Sequence, residues 1–269
     1  MPAIHPARLK RQAQELSLLF HNPSAFVHEW RHLLEFYSQR THRMGDKKEK
    51  PTAIKRFRIA PPVFQAVLSE LEPPLNRDPD SAVQLLTALW QQPILESRLL
   101  AARALALLPI DRPEVVTTLA IEWGRETRED VLREAVVGPG LKRLRRESPL
   151  ELLGLLEYLF SGRDPANHIL GLTAVAYLLE ETRFQNLPVL FKLMRSIIPS
   201  VTNPLRPYAL HALQAFIARS PRETALFLER LLKELDAPPL LWLTRRALDS
   251  FPPELQDRLR RKLRDIRLS

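Results

Sequence analysis

A chain of 269 residues, 45% hydrophobic and 26% charged, can bury a sizeable core and is too apolar to be a disordered polymer. It has no cysteine, which excludes disulfides and thiolate metal sites, and 7 glycines against 24 prolines suit short proline-punctuated helices better than hairpins of strand. The net charge of +9 favours a polyanionic partner or an acidic membrane surface, although excess charge also aids solubility.

The N-terminus, MPAIHPARLKRQAQELSLLF, has no long apolar run behind its basic residues. Neither a secretion signal nor a membrane span is expected, and the cytoplasm is the expected location. Pro6 to Phe20 and Pro23 to Gln39 read as amphipathic helices, the second capped by Asn22, forming an N-terminal helical cap over residues 1–39. Residues 40–60 follow as a basic loop: Arg40 to Arg58 carries eight cations against Asp46 and Glu49, a net +6. Residues 61–269 are predicted to be a repeat domain, entered through a helix at Pro61 to Leu71.

The chain is organised around residues 78–109, which read as two helices joined by a turn at Gln91 to Pro93. In the second of them Leu99, Ala102, Leu105 and Leu108 recur every three residues, predicting one narrow apolar stripe with Arg98 and Arg103 off it. Similar units are predicted near residues 111–147, 148–181, 183–219 and 220–252, before a terminal basic helix over 252–266. Gly138, Pro139 and Gly140 are expected to kink or break the second unit's second helix, while Ser148, Asp164, Asn203 and Ser220, each before a proline, are expected to start helices. Unit starts at Asp78, Asp111, Ser148, Arg183 and Ser220 are 33, 37, 35 and 37 residues apart. That period belongs to two-helix repeats of the HEAT and armadillo kind, so the predicted fold is an all-α α-solenoid. Ala104, Ala135, Ala174, Ala212 and Ala247 fall mid-helix, where neighbouring helices would approach. The alternative is five unrelated hairpins in an irregular helical domain, which is equally all-α.

Basic residues cluster at Lys142, Arg143, Arg145 and Arg146, at Arg245 and Arg246, and along the terminal helix, including Arg261 and Lys262. If second helices line one surface, these side chains form a groove for a phosphate backbone; the alternative is a set of solvated helix faces. No base-reading set is recognisable, so contacts to backbone and shape are expected. Trp30 and Trp90 read as core, Trp123 is balanced between core and site, and Trp242 is open. Glu126 and Asp130, four apart, share a face if one helix spans them, and a carboxylate beside Trp123 could stabilise a cationic sugar intermediate; Arg125, Arg128 and Arg133 alternate with these acids as on an exposed ion-paired helix. His28, Glu29 and His32 give HEWRH the outline of the H-E-x-x-H zinc motif, but no third ligand follows, so no metal site and no cofactor are assigned.

The run LWQQPILE, Leu89 to Glu96, resembles a pattern of the DNA alkylation repair family of HEAT-like-repeat proteins, the AlkD-type DNA glycosylases: Leu-Trp, two residues, Pro, two residues, Glu, then an alanine-rich helix. RIAPP at Arg58 to Pro62 is similar to the segment leading into an early helix. The resemblance covers about Ile54 to Leu263. It implies a basic concave surface that cradles duplex DNA and excision of cationic alkylated bases by tryptophans and an aspartate. By that resemblance the catalytic candidates are Trp123 and Asp130. Thr127 stands four residues after Trp123, where the aspartate is expected; sliding the alignment offers Asp130 or Leu132, and Ala212 falls near the later tryptophan position. The expected partner is double-stranded DNA, bound through Lys142, Arg143, Arg145, Arg146, Arg245, Arg246, Arg261 and Lys262; the alternatives are an active glycosylase and a protein-binding scaffold.

Overall fold

Proline starts most of the helices. A computed structural model describes residues 5–38 and 54–268, and in it proline occupies the first helical position of α1 (Pro6–Ser17), α2 (Pro23–Tyr37), α3 (Pro61–Arg77), α4 (Pro79–Trp90) and α6 (Pro113–Glu126). The same holds for α9 (Pro149–Ser161), α10 (Pro165–Glu180), α13 (Pro221–Glu234), α14 (Pro238–Ala247) and α15 (Pro253–Leu268). The first turn of a helix has no partner for its N–H groups, so a residue with no N–H and with φ already helical costs nothing there. The other helices are α5 (Leu95–Ala104), α7 (Asp130–Ala135), α8 (Lys142–Glu147), α11 (Leu187–Ile197) and α12 (Arg206–Arg219). Among the described residues there is no strand, only an isolated parallel bridge between Lys55 and Ile94. The protein is all-α.

Side-chain caps support some of these starts and not others. Asn22 accepts from Ala25 N at 3.1 Å, Asp78 from Ser81 N at 3.1 Å and Asp164 from Ala166 N at 3.0 Å. The bonds to Ser81 hold the Asp78 carboxyl below its ordinary range. Ser148 and Ser220, by contrast, make no side-chain cap bond. Asn203 begins a short 3₁₀ turn, Asn203–Leu205, rather than the helix, which starts at Arg206 with Pro207 in second place. Helix α3 runs through Pro73 and Pro74 to Arg77, past the expected end at Leu71.

The chain divides into two units between Arg143 and Leu144. In the first, α1 packs on α2 and α3, α2 on α4, and α4 on α5, which in turn meets α7 and the turn after it. In the second, α10 lies between α9 and α12, α12 packs on α13 and α14, and α13 on α15. Side chains within each unit repeatedly meet partners about one hairpin further along the chain. Separations of 35 residues (Arg143 to the Leu108 carbonyl), 36 (Trp90 to Glu126; Gln214 to Ser250) and 37 (Arg219 to the Thr182 carbonyl) recur. The five alanines expected at mid-helix are all buried, but only Ala174 and Ala212 lie inside their helices, whereas Ala104, Ala135 and Ala247 are the last residues of α5, α7 and α14.

Helix α5 departs from its predicted stripe. Leu99 is half-exposed, whereas Glu96, Ser97, Leu100, Ala101, Ala102 and Ala104 are buried, so the helix is covered on more than one side. Of the basic segment expected over 40–60, residues 40–53 lie outside the described residues. The remainder is pinned. Lys55 N donates to the Pro93 carbonyl and Leu95 N to the Lys55 carbonyl, both at 2.9 Å. The N–H groups of Phe57 and Arg58 donate to Glu96 Oε1 at 2.9 and 2.7 Å. Arg58 is held there at φ 56°, in the left-handed region that a non-glycine residue seldom enters.

Gly138, Pro139 and Gly140 do break a helix: α7 gives way to a π-helical turn, Val136–Gly140. A Cβ at Gly140 would stand 2.6 Å from the Ala102 carbonyl oxygen of α5, a backbone atom that cannot swing aside. At Gly154, on the exposed face of α9, a Cβ would meet nothing within 4 Å. Gly140→Ala is therefore expected to lower unfolding free energy by about 1–3 kcal/mol, and Gly154→Ala to raise it by about 0.5–1 kcal/mol. Urea denaturation of both variants checks the pair of opposite signs.

Candidate nucleic-acid interface

Trp123 lies in the core of the first unit. It is 3% exposed, and its ring is stacked on Trp90, with centroids 4.8 Å apart and planes 7° from parallel. Trp90 donates from Nε1 to Glu126 Oε2 at 2.9 Å, and the Arg98 guanidinium lies 5.4 Å from the Trp90 ring centroid, reaching Glu126 Oε1 at 4.0 Å. One face of the Trp123 indole is thus occupied by another indole. Asp130 stands elsewhere. Helix α6 ends at Glu126 and α7 begins at Asp130, with residues 127–129 between them, so the two carboxylates do not share a helix face. Asp130 is an exposed first-turn residue paired with Arg133, which also donates to the Thr127 carbonyl at 3.1 Å. Glu129 pairs with Arg56 at 3.1 Å.

The cations of α8 divide by side-chain environment. Arg143 donates to Asn76 Oδ1 and the Leu108 carbonyl, both at 3.1 Å. Arg145 is 8% exposed, with its guanidinium 5.4 Å from the Tyr177 ring centroid and Nε 3.9 Å from Glu181 Oε1. Burial pulls its pKa down, and the Glu181 charge pulls it back up. Arg146 holds the same carboxylate at 3.1 Å. Lys142 alone of the four is exposed with no salt bridge to a described carboxylate. Three of the four thus have work inside the protein.

The second unit carries cations of a different kind. Leu240, Leu243, Thr244 and Ala247 bury one face of α14, leaving Arg245 and Arg246 exposed in its last turn. Trp242 is half-buried on the same helix, three and four residues before them, a spacing that puts all three on neighbouring positions. Arg206, at the start of α12, lays its guanidinium 4.9 Å from the Trp242 ring centroid, while its Nε is buried without a hydrogen-bond partner. A stacked arginine with an unused buried donor is held by its contact with the indole rather than by a carboxylate. On α15, Leu259 and Leu263 are buried and Arg261 and Arg264 exposed, with Lys262 half-buried. Arg258 pairs with Glu229 at 2.6 Å and Arg260 with Asp257 at 3.3 Å.

Among the sequence-predicted cations, Arg245, Arg246, Arg261 and Lys262 therefore lie on one unit with exposed or half-exposed side chains. Arg206 and Trp242 were not predicted as a pair. Their signal is arithmetic: they stand 36 residues apart, within the range of the repeat period.

No family model matches the chain, and neither a curated protein nor a solved structure matches it.

Trp123 and Asp130 should separate cleanly on stability. Trp123→Ala removes a buried, stacked ring and is expected to cost about 3–5 kcal/mol, whereas Asp130→Ala removes an exposed carboxylate whose partner Arg133 keeps its bond to the Thr127 carbonyl, and should cost about 1 kcal/mol. Denaturant melts of the two variants check this; similar small costs would remove Trp123 from the core.

Proposed function

We propose that the protein is an α-solenoid of HEAT/armadillo-like hairpins that binds duplex DNA through its phosphate backbone. The observation that carries the binding reading is the arrangement on α12 and α14: a half-exposed indole, an arginine stacked on it, and two further exposed arginines one turn away. Such a group offers guanidinium donors held in place before the polyanion arrives, and arginine's planar fork suits phosphate oxygens. The recurrence of contacts one hairpin apart supports the solenoid reading.

The reading carries no base excision at Trp123 and Asp130. Excision would need an indole face free for a cationic base or sugar, and Trp123 has its neighbour Trp90 there. It would also need the carboxylate close by, and Asp130 is engaged with Arg133 on a separate helix. A DNA scaffold without chemistry at that pair is the reading these contacts favour.

The purified chain should bind an unmodified duplex at low salt, with log K falling linearly as log salt rises. Each phosphate contact contributes about −0.9 to that slope, so Arg245→Ala with Arg246→Ala should flatten it by about 1.8 if both residues touch phosphates. Lys142→Ala reads the contribution of α8. Absence of binding at low salt, or a double variant with the parent slope, would overturn the assignment. A partner protein that survives nuclease treatment, with no duplex binding, would support the scaffold alternative instead.

A further inference from the structure

Helix α2 is anchored by one face and leaves the other bare. Phe26, Trp30, Leu33, Leu34 and Tyr37 are buried, and Trp30 Nε1 donates to Ser97 Oγ at 3.1 Å within the core. On the opposite face His28, His32 and Glu35 follow at the i, i+4, i+7 spacing and are exposed, as is Glu29. The two imidazoles face each other through their Nε2 atoms, 3.3 Å apart, with ring planes at 75°. The ligand atoms of His28, Glu29 and His32 all lie within 4.8 Å of one another.

The Nε2 separation has a geometric meaning. Two nitrogens bound to one tetrahedral zinc at about 2.0–2.1 Å stand about 3.3–3.4 Å apart. One of the outer ring nitrogens has a carboxylate at hydrogen-bond distance, and the other has one nearby that is bonded to Arg31. His28 Nδ1 lies 3.3 Å from Glu29 Oε1, and His32 Nδ1 lies 4.0 Å from Glu35 Oε2. A carboxylate at Nδ1 favours the tautomer that keeps its proton there and leaves Nε2 as a bare lone pair, the arrangement that orients metal-binding histidines. The other use of the same contact is a hydrogen bond between the rings, in which one Nε2 carries the proton that a bound metal ion would replace.

We propose that His28 and His32 form a chelate for a divalent transition-metal ion of the zinc, nickel or copper class. Both imidazoles ligate through Nε2; Glu29 is a positioning residue on His28 Nδ1, with Glu35 playing the same part more distantly for His32. Imidazole pairs select borderline ions over magnesium or calcium, which demand oxygen. The arrangement differs from an H-E-x-x-H protease centre, because the carboxylate that would serve as general base is turned to the back of His28. The remaining coordination positions belong to water or to a ligand; His32 also borders a groove of about 450 Å³ between α1 and α2, whose walls include Gln12, Glu15 and Glu29. The site is independent of the DNA reading.

Isothermal titration of the full chain with ZnCl₂ and with MgCl₂ tests it, alongside His28→Ala, His32→Ala, Glu29→Gln and, as an exposed-histidine control on α12, His211→Ala. Zinc should bind the parent and His211→Ala alike, at one site removed by either α2 histidine variant. Glu29→Gln should weaken binding by about 10–100-fold, the usual effect of losing an outer-shell partner. The substituted positions are exposed, and circular dichroism verifies that the helices persist. Absence of zinc binding in the parent, unchanged binding in the histidine variants, or equal binding of magnesium would each overturn the proposal. As a variant-free arm, 1:1 Cu²⁺ should give an electron paramagnetic resonance spectrum with two-nitrogen coupling; a spectrum of oxygen ligation only would overturn it too.

Discussion

Two antiparallel helices have more apolar surface than they can bury against each other, and the nearest remedy is the next pair along the chain. That constraint explains why so many side chains here find partners 32 to 39 residues away, from Arg112 and Asp80 to Arg195 and Glu234. The same constraint fixes where small residues must stand. Ala104, Ala174 and Ala212 are buried because α5, α10 and α12 are each crowded by more than one neighbour. A longer side chain at any of these positions would push its helix away from the neighbours it packs on.

A strongly basic chain need not be basic everywhere for one purpose. In α8 the guanidiniums of Arg143, Arg145 and Arg146 take up carbonyl, aromatic and carboxylate contacts. Arginine is suited to that work, since it covers apolar surface with its stem and bonds several acceptors with a planar head. On α14 and α15, Arg245, Arg246, Arg261 and Arg264 are exposed on amphipathic helices whose buried faces include Leu240, Leu243, Leu259 and Leu263. Charge that is not used to hold the protein together is what a polyanion can use. Sequence clustering alone does not separate the two roles, because LKRLRRE and RLRRKLR look alike before their neighbours are known.

The all-α class and most helix starts were legible in the sequence because each rests on local chemistry: proline at a first turn, and a carboxamide or carboxylate before it; the burial of the alanines was legible too, though three of the five end their helices. Features set by packing were not. The stripe through Leu99 assumes a helix buried on one side, and α5 is buried on several. The shared face of Glu126 and Asp130 assumes one helix where the chain makes two. Trp242 was ambiguous until Arg206 was seen above it, and HEWRH matched a motif by order while its imidazoles are arranged for a different use. For α5 and Trp242 the missing information was which distant element lies alongside; for Glu126 and Asp130 it was a local break between helices, and for HEWRH the rotamers within one helix.

The run LWQQPILE has structural work to do at every position whose contacts are known. Leu89 and Trp90 are buried, the Pro93 carbonyl and Leu95 N–H bond to Lys55, and Glu96 accepts the N–H groups of Phe57 and Arg58. Every one of these tasks is mechanical. The segment turns the chain from α4 into α5 and clamps the strand-like approach to α3 against that turn. The buried Glu96 carboxylate meets two adjacent amides through one oxygen, and removing it would take that acceptor from both. Similarity confined to such a segment is an argument about how hairpins are joined; what the protein binds must be argued from the exposed side chains of α2, α14 and α15.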